Sequence, residues 1–163
     1  TLIVPPFIAL NNKDEITIDG ENFIIHSVVK AHTNTDIMIE HKKSKTLFLG
    51  DNCFSNRLGR FDQSSDISGN IKALELAESL GLDFYVPGHG TTGSYNLAVK
   101  PFYDYLVQLK KAVLIAYEAG IEDFEIKEKI LNQFNVYKNW HGFDTNFGKH
   151  INKLYLETEA ANF

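Results

Sequence analysis

The chain has 163 residues, of which 44% are hydrophobic, and its formal net charge is -5. This length supports one domain with a hydrophobic core. The acidic balance gives no electrostatic reason to expect a nucleic-acid partner, and no apolar run approaches the ~20 residues of a membrane-spanning helix. We therefore expect a soluble protein without either partner. A single cysteine, Cys53, excludes an internal disulfide and a cysteine-rich zinc site, and it leaves open whether the compartment is cytoplasmic or periplasmic.

The first third of the chain carries the pattern of β-strands. Strands are predicted where β-branched and aromatic residues cluster or alternate with polar ones, over residues 7–10, 15–18, 23–29, 36–41 and 46–49. Asp19-Gly20 is a hairpin-turn signal. The run from Thr46 to Leu49 is continuously apolar after its first residue, which is typical of a strand covered on both faces.

The middle of the chain mixes a loop, a helix and one more strand. Asn52 to Ser65 is polar and predicts a long surface loop that contains Arg57 and Arg60. Apolar residues at helical spacing from Ile71 to Leu80 predict a helix that Gly81 ends. A short core strand is then predicted over 82–86, ending at Pro87.

From Tyr95 onward the pattern is helical. Three apolar stripes recur at steps of three and four residues, and core packing explains them better than a cofactor site does. We divide the chain into a β-rich part, residues 1–94, and a helical cap, residues 95–163, packed as one unit.

Three side chains that can bind metal each stand where a strand-like run meets a turn. They are His32, Asp51 and His89. Imidazole and carboxylate ligands bind zinc while leaving a position open for water, and a carboxylate can bridge two ions. Glycine beside His89 and before Asp51 allows close backbone approach and positive φ. From the residues alone, structural hydrogen bonding by these histidines remains an equal alternative. His26, His41, His141 and His150 are expected to be structural or solvated, with His141 the nearest to the pocket.

The ordered motifs resemble the second half of the metallo-β-lactamase superfamily. They read AHTNTD at 31–36, LFLGDNCF at 47–54 and YVPGHG at 85–90, and the resemblance spans residues 7–93. It implies the C-terminal half of an αββα sandwich, one mixed sheet with helices, followed by a helical tail. It also implies a dinuclear zinc hydrolase of small-molecule esters, thioesters, lactones or lactams, in which metal-bound hydroxide attacks. By position, His32 would belong to the first metal site, His89 to the second, and Asp51 would bridge them. No catalytic residue beyond these ligands is assigned.

The superfamily's HxHxDH motif is absent from the 163 residues. Each ion would then keep two ligands, whereas a hydrolytic zinc site has about three plus water. We therefore expect a fragment, made by truncation or proteolysis, that is inactive alone with partial or absent zinc. Its bare apolar sheet face would make it a homodimer. Two alternatives stay open: a non-catalytic dimerising or binding module, and a mononuclear iron dioxygenase with His32 and Asp51 among its ligands.

Overall fold

A five-stranded sheet with helices on one side makes up the fold. The computed structural model describes residues 8–162, and of Val29 only the backbone. The strands are β1 (Glu15–Ile18), β2 (Glu21–Val29), β3 (Thr35–His41), β4 (Thr46–Phe54) and β5 (Phe84–His89). The helices are α1 (Ile67–Ser79), α2 (Tyr95–Ala98), α3 (Lys100–Glu118), α4 (Asp123–Ile130) and α5 (Phe143–Ala161), with a 3-10 helix, Leu131–Tyr137, before α5.

The strand order follows the chain, β1-β2-β3-β4-β5. The first four strands pair antiparallel, and β5 joins β4 in parallel after the crossover through α1. The carboxyl ends of β4 and β5 therefore lie at one edge of the sheet. Because β3 is antiparallel to β4, the turn between β2 and β3 lies at that edge too. Topology alone thus brings His32, Asp51 and His89 to a common edge.

Local signals explain several of these element ends. Asp19 and Gly20 have φ of 50° and 82°, the two positive values that a tight type I′ hairpin turn requires. The Asp66 side chain accepts a hydrogen bond from Gly69 N at 2.5 Å and caps the start of α1. Gly81, at φ 59°, follows the end of that helix. The predicted hairpin turn and the glycine stop are confirmed.

One face of the sheet packs against the helices. Its buried side chains include Met38, Leu47, Leu49 and Tyr85, which belong to one cluster with apolar residues of α1, α3, α4 and α5. Helix α1 lies on β4 and β2, while α5 packs on α3 and α4. Elements from both predicted parts of the chain therefore share one core. The division near residue 94 itself stays a prediction.

The opposite face of the sheet, which we call the outer face, is also apolar. Strand register places a continuous set of side chains there, since directly paired residues point to the same side: Ile16, Phe23, Ile25, Ile37, Ile39, Phe48, Phe84 and Val86. Ile25 is buried, but Phe48 and Phe84 are each 42% exposed. Among residues 8–162, no helix covers this face.

Five local predictions need correction. Residues 8–10 lie in no strand, and Phe7 lies outside the described residues. Strand β4 continues to Phe54 instead of ending at Leu49, because its later part pairs with β5 through register shifts. Strand β5 runs from Phe84 to His89, past Pro87, and α1 begins at Ile67. Phe48 is exposed, so within the described residues β4 is covered on one face only.

The predicted α/β architecture, one mixed sheet with helices followed by a helical tail, is confirmed. No helix of residues 8–162 is long and apolar enough to cross a membrane.

Candidate metal centre

The three strand-end side chains meet at the predicted edge of the sheet. His32 Nε2 lies 3.7 Å from Asp51 Oδ2, and His89 Nε2 lies 3.7 Å from Asp51 Oδ1. Each imidazole therefore faces a different oxygen of one carboxylate. The Asp51 and His89 side chains are about half exposed, at 45% and 49%, whereas His32 is 19% exposed. Solvent and small molecules can reach the carboxylate.

The turn that carries His32 is held by the loop before α1. Ser65 Oγ donates to His32 O at 2.7 Å, and Asp66 N donates to Ala31 O at 2.7 Å. Within the turn, Thr33 N and Thr33 Oγ1 donate to the two oxygens of Asp36. These bonds fix the backbone on both sides of His32, so the imidazole is attached to a backbone of defined position.

The backbone around Asp51 is held by two buried amides. Asn52 Nδ2 donates to Leu49 O at 3.0 Å, and Asn70 Nδ2 on α1 donates to Asn52 O at 2.8 Å. Both asparagines are at most 1% exposed. Helix α1 thereby anchors the end of β4 and lets Asp51 alone point outward.

Glycine on each side of His89 is required by close approach. A Cβ on Gly88 would overlap Asp51 Oδ1 and Gly50 O, and one on Gly90 would overlap Ser55 O. Gly90 also has φ 99°, which disfavours any side chain. The predicted close approach of the backbone beside His89 is confirmed.

The buried ring of Phe54 separates the two imidazoles. It stacks on His89 with a centroid distance of 5.7 Å and an interplanar angle of 9°, and meets His32 edge-on at 5.6 Å. Phe54 is 3% exposed, so it supports both rings from the protein side. The two imidazoles are kept apart and aimed at opposite oxygens of Asp51.

The two nitrogen–oxygen distances are too long for hydrogen bonds and are close to the distance between two ligands of one metal ion. At 3.7 Å they exceed the 2.7–3.2 Å of a hydrogen bond. Two ligands on one tetrahedral zinc, each about 2.1 Å from the metal, lie about 3.4 Å apart. The pairs His32–Asp51 and Asp51–His89 are spaced close to this value. The donor set, imidazole nitrogen and carboxylate oxygen, also suits zinc.

The ligand set within the described residues is incomplete. Among residues 8–162, no three His, Cys, Asp or Glu side chains are grouped closely enough to hold one ion. His32 Nδ1 is buried without a hydrogen-bond partner in the same residues. A metal-bound histidine usually donates its second ring N–H to a protein acceptor. The spacing therefore fits zinc. The described residues supply too few ligands for one ion, and they give His32 Nδ1 no hydrogen-bond acceptor.

A cavity of about 330 Å³ opens beside Asp51. Besides the three side chains, it is lined by residues of the loop after β4 and of the start of α5, namely Phe54, Arg57, Leu58, Gly59, Arg60, His141, Gly142, Thr145 and Asn146. His141 thus lies at the pocket, as predicted. His26 pairs with Glu40 and His41 with Glu21, both away from this cavity.

One comparison with known proteins covers the residues of this edge. The family model of the metallo-beta-lactamase superfamily matches residues 2–89, more than half of the chain and all three candidate ligands. The chain belongs to the metallo-beta-lactamase superfamily. The resemblance drawn from the three motifs is thereby confirmed. A search of curated protein sequences gives no significant match.

Two solved structures share the fold. A metallo-beta-lactamase from Pontibacter korlensis is 20% identical with a TM-score of 0.55, covering 62% of this chain and 48% of its own. The stereoselective inverting sec-alkylsulfatase Pisa1 from Pseudomonas sp. is 15% identical with a TM-score of 0.73, covering 95% of this chain and 27% of its own. At these identities the similarity supports the fold. The chain spans about half of the first of these proteins and about a quarter of the second.

Behind this edge of the sheet lies His150, which was expected to be structural or solvated and has a structural role. His150 on α5 is fully buried; its Nε2 donates to Gly59 O at 2.8 Å and its Nδ1 accepts from Tyr105 Oη at 2.9 Å. Burial lowers the pKa of His150 to about 4, so the ring is neutral at pH 7. His150 ties the cavity-lining loop to α3 and α5.

Sequence reasoning missed most of the groups that support the site. Phe54 ends the motif at 47–54 but was assigned no role, Asn70 belongs to no motif, and His150 was expected to be structural without a stated partner. Each acts through partners far away in the chain. Arg57 and Arg60 were visible only as charges in a predicted loop. Cys53 is fully buried, and burial raises its thiol pKa.

Proposed function

We propose that His32, Asp51 and His89 are ligands of a two-zinc hydrolytic centre. The observation that supports this most is the position of Asp51, whose two carboxylate oxygens each face one imidazole at 3.7 Å. A carboxylate placed between two imidazoles in this way is suited to bridge two ions. Membership of the metallo-beta-lactamase superfamily supports hydrolysis as the reaction class.

In this proposal the residues of the chain bind the two ions and hold the imidazole ligands in position. His32 and His89 would each hold one ion together with Asp51, and Phe54 keeps the imidazoles apart. Zinc bound there would supply water of lowered pKa and would polarise the bond to be cleaved. The 330 Å³ cavity beside Asp51 would receive a small ester, thioester, lactone or lactam. The remaining ligands would come from outside residues 8–162.

The experiment is a zinc titration of the protein by calorimetry, repeated with Asp51→Ala, His32→Ala and His89→Ala. Loss of the bridging carboxylate should weaken zinc binding most, by at least about 100-fold, because removing it takes a ligand from both ions. Each histidine variant should lose one ion. The matched control is Asp83→Ala, whose carboxylate is exposed and pairs with Lys45.

Zinc binding that is unchanged in Asp51→Ala would refute the proposal. If zinc binding depends on Asp51, hydrolysis is assayed on zinc-loaded protein with an ester, a thioester, a lactone and a lactam. Elemental analysis of the purified protein separates zinc from iron, and iron with oxygen-dependent turnover would replace the hydrolase by a dioxygenase.

A further inference from the structure

A serine, a histidine and a glutamate form a hydrogen-bonded line away from the candidate metal centre. Ser44 lies in the turn that precedes β4, whereas Asp51 lies toward the other end of that strand. Ser44 Oγ is 2.7 Å from His41 Nδ1, and His41 Nε2 is 3.0 Å from Glu21 Oε2. A hydroxyl on one nitrogen of an imidazole and a carboxylate on the other is the arrangement that activates serine as a nucleophile. Here the two ring nitrogens have exchanged the partners that they have in the serine protease triad.

The charge on Glu21 decides which nitrogen of His41 accepts a proton. Hydrogen bonds from Lys43 and, to a smaller extent, from His41 lower the pKa of Glu21, so its carboxylate is ionised at neutral pH. An ionised carboxylate only accepts hydrogen bonds, and the neutral imidazole therefore carries its proton on Nε2. Nδ1 is then the basic nitrogen, and Ser44 Oγ donates to it at 2.7 Å. The contact with Glu21 thus selects the tautomer that a general base for Ser44 needs.

The imidazole of His41 is held in this orientation by its neighbours. The ring stacks on Phe23, its direct partner on β2, with a centroid distance of 4.9 Å and an interplanar angle of 26°. The side chain of His41 is 20% exposed and that of Glu21 is 35% exposed, so solvent screens their contact only in part. Ser44 Oγ is also 2.8 Å from Oγ1 of the buried Thr46, which holds the hydroxyl from its other side. The line is therefore ordered before any reagent binds.

The hydroxyl is accessible, and unused backbone donors belong to the same turn. Ser44 is exposed. Within residues 8–162, the backbone N–H groups of Lys43 and Ser44 donate to no protein acceptor. In the serine protease template, the N–H of the nucleophilic serine is one of the two donors that stabilise the oxyanion. The N–H of Ser44 is thus free to stabilise the negative charge that develops on a carbonyl oxygen during attack.

We propose that Ser44 is a nucleophile, activated by His41 and Glu21, that takes an acyl group from an activated ester. Ser44 Oγ forms a bond to the acyl carbon while its proton passes to His41 Nδ1. The bond from the acyl carbon to the leaving oxygen then breaks, the leaving group departs with the electron pair, and the imidazolium returns its proton to solvent. The product is an acyl ester on Ser44. This activity is separate from the proposed metal centre and uses none of its ligands.

The test is acetylation of the protein by p-nitrophenyl acetate, in buffer with a chelator so that no metal takes part. Release of p-nitrophenolate gives the rate, and mass spectrometry of peptides locates the acetyl group. Neutral hydroxylamine removes an ester from serine and leaves an amide on lysine, so it separates Ser44 from Lys43 and Lys45. We expect a hydroxylamine-labile acetyl group on Ser44. The internal reference is the exposed Ser79, whose hydroxyl donates to Leu76 O and has no imidazole partner; it should react at least about 100-fold more slowly.

Variants assign the reactivity to the line of contacts. Ser44→Ala should abolish the labile adduct, and His41→Gln should slow its formation about 100-fold because the general base is lost. Glu21→Gln removes the charge that stabilises the imidazolium and should cost about tenfold, since solvent partly screens that charge. The matched control is Lys42→Gln, in the same turn, whose ammonium pairs with Glu15 at 3.3 Å. It should keep the rate within about twofold.

Acetyl groups found on lysines alone, or on Ser44 no faster than on Ser79, would overturn the proposal. An equal rate of Ser44 acetylation in the parent and in His41→Gln would do the same. Circular dichroism shows whether each variant folds, and the comparison of Ser44 with Ser79 within the parent protein keeps the test valid if a variant does not. Because the assay excludes metal, its failure leaves the proposed zinc centre untouched, and failure of zinc binding leaves the reactivity of Ser44 untouched.

Discussion

The two faces of the sheet are alike in sequence and different in surroundings. Leu47 and Leu49 on the helix side are fully buried, while their neighbour Phe48 on the outer face is 42% exposed. Both faces are apolar, so alternation of polar and apolar residues cannot tell which one is covered. The hydrophobic pattern of β4 is typical of a strand covered on both faces, and the described residues cover one of them.

The largest difference between the faces should appear on truncation of their side chains. Leu49→Ala leaves a cavity in the core and should lower the free energy of unfolding by about 3 kcal/mol. Phe48→Ala should cost about 1 kcal/mol or less in dilute protein, because much of that ring is already in water. Urea denaturation measures both. Equal losses would mean that the outer face is packed as tightly as the inner one.

The helix side also contains a buried group that titrates. An unfolded histidine has a pKa near 6.5, and the folded pKa of His150 is about 4, so between these values the unfolded chain binds the extra proton. Stability from this residue is complete above about pH 6.5 and falls as the pH drops to about 4. The total loss is about 3 kcal/mol.

His150→Gln tests this assignment. The glutamine cannot titrate, so the slope of unfolding free energy between pH 6.5 and 4 should be smaller than in the parent, although the variant is less stable at pH 7. Identical slopes in the two proteins would show that other groups cause the acid sensitivity.

The outer face should bind a second copy of the chain. A symmetric dimer would cover the apolar side chains of both sheets at once, and a stable interface needs about 800 Å² from each partner. We propose that the protein is a dimer at about 10 μM, measured by analytical ultracentrifugation, and that Phe48→Glu with Phe84→Glu weakens the dimer more than tenfold.

Phe124→Glu is the matched control, since Phe124 is 78% exposed on α4 and away from the sheet. It should leave the dimer unchanged. A monomer at about 100 μM in the parent protein would contradict this prediction, and the outer face would then need another partner.

Whether a feature could be predicted from the sequence depends on how close together in the chain the residues that determine it lie. The Asp19-Gly20 turn and the Gly81 stop depend on neighbouring residues, and both were predicted correctly. The common edge of His32, Asp51 and His89 followed from strand ends. The extension of β4 through Asp51 to Phe54 did not, because Gly50 and Phe54 pair with β5 across register shifts and the polar residues between them form no alternating pattern. The positions of Arg57 and His150 depend on contacts between the loop after β4 and α5, which no local pattern contains.

The smallest effect is expected at the edge of the outer face. Ile18 is 56% exposed at the end of β1, where the sheet has no further strand among the described residues. Ile18→Thr keeps the β-branched shape that a strand favours, so the free energy of unfolding should change by less than about 0.5 kcal/mol. A loss above about 1 kcal/mol would show that whatever covers Phe48 extends to β1. Measured beside Phe48→Ala, this variant therefore tests how far across the outer face the side chains contribute to stability.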